Sequence, residues 1–306
     1  MYKKFFGLKE NPFSVNPDPR YLLLTRPMQE ALACLTYGIQ SRRGFILLTG
    51  EVGTGKTTLL NKLLGWLHRY RVATSFIFNP GLSPSQFFDY MLADFGLKCE
   101  AREKGGMLLH LNKWLLQRYR AGGTAVLVVD EAQNLSPEVL EEIRLLTNLE
   151  TSTEKLLQIV LSGQPELEAK LSRPELRQLR QRITLRSKTE PLSREECQQY
   201  VANRLRVAGA DSRPIFTPEV IDAVYAYSKG IPRLINLLCE HGLISAFAEQ
   251  KRPVPAEMIR EIAREFQLDV VEALPVPPAP KTDEDTRLKE ALETLVTLME
   301  RVRRPQ

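Results

Sequence analysis

Residues 45–58 read FILLTGEVGTGKTT, an apolar run followed at once by the spacing G-x-x-x-x-G-K-[ST]. The run predicts a strand, and the residues from Lys56 onward carry the apolar spacing of a helix, so the glycines fall in the turn between them. Gly50, Gly53 and Gly55 let the backbone come close enough to aim amide N–H groups at phosphate oxygens. The helix start adds the positive end of its dipole. Glu51, Val52 and Thr54 complete the loop and Thr58 lies in the first helical turn, so all of Gly50–Thr58 is expected to line a nucleoside triphosphate. Lys56 is expected to reach the β- and γ-phosphates, and the Thr57 hydroxyl to ligate Mg²⁺. A chance match in a chain of this length arises on the order of 1% of the time. The loop therefore decides the fold class.

Working outward, further strand-like runs occur at TSFIF (74–78), AVLVVD (125–130), LQIVLSG (157–163) and RITL (182–185). Helical patterns lie between them near 56–69, 84–95, 106–120, 137–149 and 166–171, with an earlier one near 27–39. Strands alternating with helices predict a parallel sheet covered on both faces, a three-layer αβα core. After Pro191 the strands stop. Ser193 with Glu196 forms a capping box, Thr217–Pro218 opens another helix, and two more are expected near 232–249 and 255–267. The expected organisation is an amino-terminal segment (1–44), the α/β core (45–190), a small all-α lid (191–268), a proline-rich linker (269–286) and a short heptad helix (287–306). That last helix repeats Leu288, Leu292, Leu295, Met299 and Val302 at 4-3-4-3 spacing, a seam for docking or self-association.

AVLVVDE ends its strand on two adjacent carboxylates, expected to face opposite ways in an extended chain. Asp130 is assigned to Mg²⁺ and Glu131 to the attacking water as general base. Ser162 and Gln164 end the next core strand, at the sheet edge where α/β proteins bind ligands, and either is placed to bond the γ-phosphate or the water. In SRPELRQLRQRITLRSK (172–188), Arg173, Arg177 and Arg180 are expected to share one helical face at i, i+4, i+7, and Arg182 sits where that segment passes into the next strand. This stripe reads as a solvated basic face, an arginine finger or a phosphate track.

The formal charge of +5 permits contact with a polyanion without demanding one. The four cysteines and three histidines are scattered, without metal-ligand spacing. Neither a signal-type amino-terminal stretch nor a run of about 18 apolar residues occurs, which predicts a cytoplasmic protein, peripheral to a membrane only through partners.

Together these motifs resemble an AAA+ ATPase, which implies ATP and Mg²⁺ as ligands and self-association into an oligomer. GIPRLINLL (230–238) is similar to the second sensor motif, implying that Arg233 contacts the γ-phosphate from the lid of the same chain. The resemblance also makes Arg182 the first choice for a finger reaching a neighbour's nucleotide, Arg180 the second, and gives Ser162 and Gln164 the first-sensor slot. A closer resemblance joins YKKFFGLKENPFSVNPDPRYLLL, LTYGI, LLTGEVGTGKTT, VVDEAQNL and LSGQPEL to the general secretion pathway protein A (ExeA) family over roughly residues 1–265. It implies that the segment before the loop lines the adenine pocket, with Phe13, Tyr21 and Leu22 as its residues. It further implies a protein partner in secretion, pilus or exopolysaccharide export machinery. The secretion member carries a membrane anchor and a peptidoglycan-binding module, neither of which is expected here. The core is also similar to the ATPases of transposition systems, which makes DNA the alternative, less favoured partner.

Overall fold

The fold was described from a computed structural model, covering residues 1–268 except 15, 17, 79, 80, 100, 102 and 212. The expected linker and heptad helix lie outside the described residues.

Five strands, β1 (Phe45–Gly50), β2 (Ala73–Ile77), β3 (Ala125–Val129), β4 (Leu157–Gly163) and β5 (Ile183–Thr189), form one sheet in the order β2-β3-β4-β1-β5. Every pairing is parallel. The central strands β1, β3 and β4 are buried along their whole length and mainly apolar because both their faces are covered. Leu127, Val129, Ile159 and Leu161 pack on one side with α4 (Pro84–Asp94), α5 (Lys104–Arg120), α6 (Pro137–Leu146) and α7 (Pro165–Leu171). Val126, Val128 and Val160 pack on the other with α2 (Arg26–Gln40) and α3 (Lys56–Arg69). The three-layer core is as expected, with β5 longer than RITL and β2 starting one residue earlier.

The arginine stripe departs from expectation. Pro174 starts a 3-10 turn (Pro174–Leu176), and only then does α8 (Arg177–Arg182) begin, so Arg173 and Arg177 do not share one helix. A proline lacks the N–H that would carry a helix through from Arg173.

The lid consists of α9 (Arg194–Val207), α10 (Pro218–Ser228), α11 (Pro232–Ala248) and α12 (Ala256–Glu265). Ser193 accepts from the Glu196 N–H while the Glu196 side chain accepts from the Ser193 N–H, closing the capping box read from the sequence. The amino-terminal segment is divided between two cores. Phe6, Leu8 and Phe13, from α1 (Tyr2–Phe6) and the residues after it, are buried with the lid helices, whereas Met28, Leu35 and Ile39 of α2 pack on the sheet. Tyr2 donates to Glu240 and Lys9 N–H to the Ala208 carbonyl, pinning the first residues to the lid.

Candidate active site

The strand order places three polar strand ends side by side. β4 lies between β1, which runs into the phosphate loop, and β3, which runs into Asp130. Leu48 of β1 pairs with Ser162, and Leu161 pairs with Val129. Ser162 therefore sits between the loop and the acidic pair at the carboxyl edge of the sheet.

Within the loop Gly53 has a φ of 81°, and a Cβ built on it would stand 2.7 Å from the Arg233 Cβ, so a side chain is excluded on both counts. The same close approach lets Arg233 N–H donate to the Gly53 carbonyl at 3.3 Å, bringing the start of α11 against the loop. Lys56 is buried, and its Nζ donates to the Gly50 and Glu51 carbonyls at 2.7 and 3.0 Å. Burial pushes its ammonium below the usual lysine range, and the charges of Glu131 and Asp130 partly offset this.

Asp130 is buried and accepts three hydrogen bonds. Thr57 Oγ1 donates to Oδ2 at 2.9 Å, and Ser162 Oγ and the Glu131 N–H donate to Oδ1 at 2.8 and 3.0 Å. Hydroxyl and carboxylate oxygens side by side are hard ligands of the kind Mg²⁺ takes beside a triphosphate. The residues fit the ion. Glu131 does not continue the strand, contrary to the extended chain that was expected. Its φ of 52° is left-handed, and it opens a short 3-10 turn, Ala132–Asn134. Its carboxylate Oε2 accepts from Gln133 Nε2 at 2.5 Å and from Gln164 Nε2 at 3.0 Å.

A cleft of about 320 Å³ runs from the loop to the lid. Gly53, Thr54, Gly55, Lys56, Thr57, Thr58, Val52, Glu131 and Arg233 line it, as do Tyr21 and Leu22 at the other end. Asp130 lies behind this lining, joined to it through Thr57. Three side chains are placed otherwise than expected. Phe13 is buried among the lid helices, edge-on to Phe216 at 5.9 Å, and is not in the cleft wall. Ser162 is wholly buried and donates to Asp130, and Gln164 donates to Glu131, so both side chains are bonded to the carboxylates. Arg182, expected to act on a neighbour's nucleotide, is at the opposite edge of the sheet: Ile183 pairs with Phe45, the first residue of β1, whereas Thr189 pairs with Gly50. That separates it from its own loop by a strand length, roughly 20 Å at about 3.3 Å per residue.

Sequence reasoning missed Gln133 and the lid's contribution to the far end of the cleft. Arg204 and Tyr200 of α9 and Asn236 of α11 line it. The Arg204 guanidinium is buried, donates to the Pro12 carbonyl at 2.5 Å and the Tyr200 hydroxyl at 2.7 Å, and stacks 4.6 Å from the Tyr21 ring centroid. Nothing local marks these lid residues, because the fold alone brings them to the cleft. Gln133, two residues after Glu131, was legible as part of the DEAQ run.

A protein-family model described as an AAA domain matches residues 39–171. The chain carries an AAA+ domain. General secretion pathway protein A of Aeromonas hydrophila is similar to it, 49% identical over 250 residues, which make up 81% of this chain and 45% of that protein. The AAA+ chain thus spans less than half the length of that relative. Among solved structures, the Aeropyrum pernix ORC2 protein in ADPNP-ADP complexes aligns with a TM-score of 0.64 at 15% identity, over 86% of this chain and 73% of that one. Cdc6p from Pyrobaculum aerophilum gives 0.62 at 18% identity, over 83% and 70%. The Thermotoga maritima RuvB Holliday junction branch migration motor gives 0.52 at 14%, over 79% and 68%. At such identities these structures share the AAA+ fold and speak for nothing finer. Among the described residues, no helix of this AAA+ protein is long and apolar enough to cross a membrane.

Proposed function

We propose that this AAA+ domain binds Mg-ATP in the cleft, hydrolyses it, and couples hydrolysis to assembly or remodelling of a protein complex. The observation that carries the reading is Asp130, bonded to the Thr57 hydroxyl of the loop and to Ser162, with Glu131 beside it in the wall that also holds Lys56 and Arg233. Lys56, desolvated and bonded to the Gly50 and Glu51 carbonyls of its own loop, would exchange these for phosphate oxygens. Thr57 and Asp130 would hold Mg²⁺, which when bound neutralises charge on the β- and γ-phosphates. Glu131 would take the proton of the attacking water. Arg233 would approach the phosphates from the lid, so that loss of phosphate alters how the lid is held. Tyr21 and Leu22 would flank the base.

Arg182 is too far from its own loop to serve it, which supports a finger acting on a neighbouring subunit in an oligomer. The likeness to general secretion pathway protein A favours a partner in secretion, pilus or exopolysaccharide export machinery. Action on DNA is the weaker alternative, since the structural neighbours that handle DNA are alike in fold alone.

Arg182→Ala tests the shared site. Turnover by the wild-type chain should rise with protein concentration per mole of protein, and the variant should lose at least about 10³-fold in kcat. Added DNA should leave both rates unchanged. Unaltered turnover in the variant would defeat the shared-site reading, and a DNA-stimulated rate would favour the alternative.

A further inference from the structure

Two side-chain amides converge on the carboxylate assigned to the water. Gln133 Nε2 and Gln164 Nε2 both donate to Glu131 Oε2, at 2.5 and 3.0 Å, and Gln133 Oε1 accepts the Gln164 N–H at 3.1 Å. The three residues close a ring of hydrogen bonds between the turn after β3 and the end of β4. Room for it exists because residue 163 is glycine: a Cβ there would stand 2.8 Å from Gln133 Oε1. The turn is also held from below. Lys170 of α7 donates to the Gln133 carbonyl at 3.0 Å and to that of Leu135. Glu131 Oε1 accepts no hydrogen bond from the described residues.

A glutamate held at left-handed φ has a side chain whose direction the strand does not dictate. An extended residue at the end of β3 would inherit its direction from the pleat. Here the direction must come from contacts, and the two amides are the contacts present. Both donate to one oxygen, so they fix the plane of the carboxylate and leave the other oxygen to accept a proton.

We propose that Gln133 is a positioning residue which, with Gln164, clamps Glu131 through Oε2 and so presents Oε1 to the attacking water. The proposal rests on the hydrolytic reading of the site. It assigns Gln133 no contact with nucleotide, and it makes the clamp's contribution depend wholly on the Glu131 carboxylate. A displacement of a catalytic group by about 1 Å costs up to about 100-fold.

The experiment is steady-state phosphate release with Mg-ATP by the full chain and its Gln133→Ala, Glu131→Gln and double variants, with ATP affinity measured in the Glu131→Gln background. Gln133→Met, which fills the same space without an amide, runs in parallel, so a folding defect from lost volume is separated from loss of the donor. The expected result is a fall in kcat of about 10- to 100-fold for both Gln133 variants, with KM within about twofold of wild type. In the Glu131→Gln background, Gln133→Ala should change neither the residual rate nor the ATP affinity. Wild-type kcat in Gln133→Met would overturn the proposal. So would the same fold-loss with and without the Glu131 carboxylate, or a loss expressed as weaker ATP binding. A wild-type chain that releases no phosphate would instead overturn the hydrolytic reading, a separable failure.

Discussion

Asp130 accepts hydrogen bonds from Thr57, Ser162 and the Glu131 N–H, and each comes from a different part of the chain. Lys56, Thr57, Asp130 and Glu131 were legible because their chemistry is written in fixed spacing at the end of an apolar run. Ser162 was legible as a polar residue at a strand end, but its direction was not: the pairing of Leu161 with Val129 brings the residue after each, Ser162 and Asp130, within hydrogen-bond distance. Phe13 was misplaced because an aromatic in the segment before the loop satisfies the same pattern whether it packs on a base or on the lid. Ser162→Ala leaves Asp130 Oδ1 with a single donor. Orientation of a metal-binding carboxylate by its outer partners is worth about 10- to 100-fold in metal affinity or activity. The half-saturating Mg²⁺ concentration for turnover should therefore rise by about 10-fold, and an unchanged Mg²⁺ dependence would remove Ser162 from the site.

The elements were readable where a local signal starts or stops them. Ser193 with Glu196 and Thr217 before Pro218 each mark a helix start that the structure carries. The short α1 was not readable, since five residues with no side-chain cap gain their order from contacts with the lid, Phe6 buried among its helices and Tyr2 bonded to Glu240. The arginine segment misled because helical spacing was counted through Pro174. Between core and lid, Gly230 has a φ of 75°, and a Cβ on it would stand 1.9 Å from the Leu192 carbonyl oxygen. Its own carbonyl accepts the Leu192 N–H at 2.8 Å, joining the strap that enters α9 to the one that enters α11. Gly230→Ala should cost at least about 1–3 kcal/mol from the backbone conformation alone. Urea unfolding reads this as a lower midpoint, and an unchanged midpoint would show that the two straps part without loss.

At the scale of the molecule, the parallel sheet and helical lid followed from alternation and its end after Pro191. What did not follow was that the first residues belong to the lid, because that membership is set by contacts across more than two hundred residues, such as Tyr2 with Glu240. The consequence is a cleft whose far wall is built from the amino-terminal segment and the lid. Tyr21 comes from the amino-terminal segment and Arg204 from α9, stacked on each other. Nucleotide bound there would touch loop, Glu131, amino-terminal segment and lid together, and under the proposed function its hydrolysis would move one against another. The claim beneath all of this is that the cleft hydrolyses ATP through Glu131. Phosphate release by the wild-type chain and by Glu131→Gln, with ATP affinity measured on both, tests it most directly. The account predicts Mg²⁺-dependent release by the wild type and a fall of at least about 100-fold in the variant, with ATP still bound. Release at the wild-type rate by Glu131→Gln, or no release by the wild type, would contradict it.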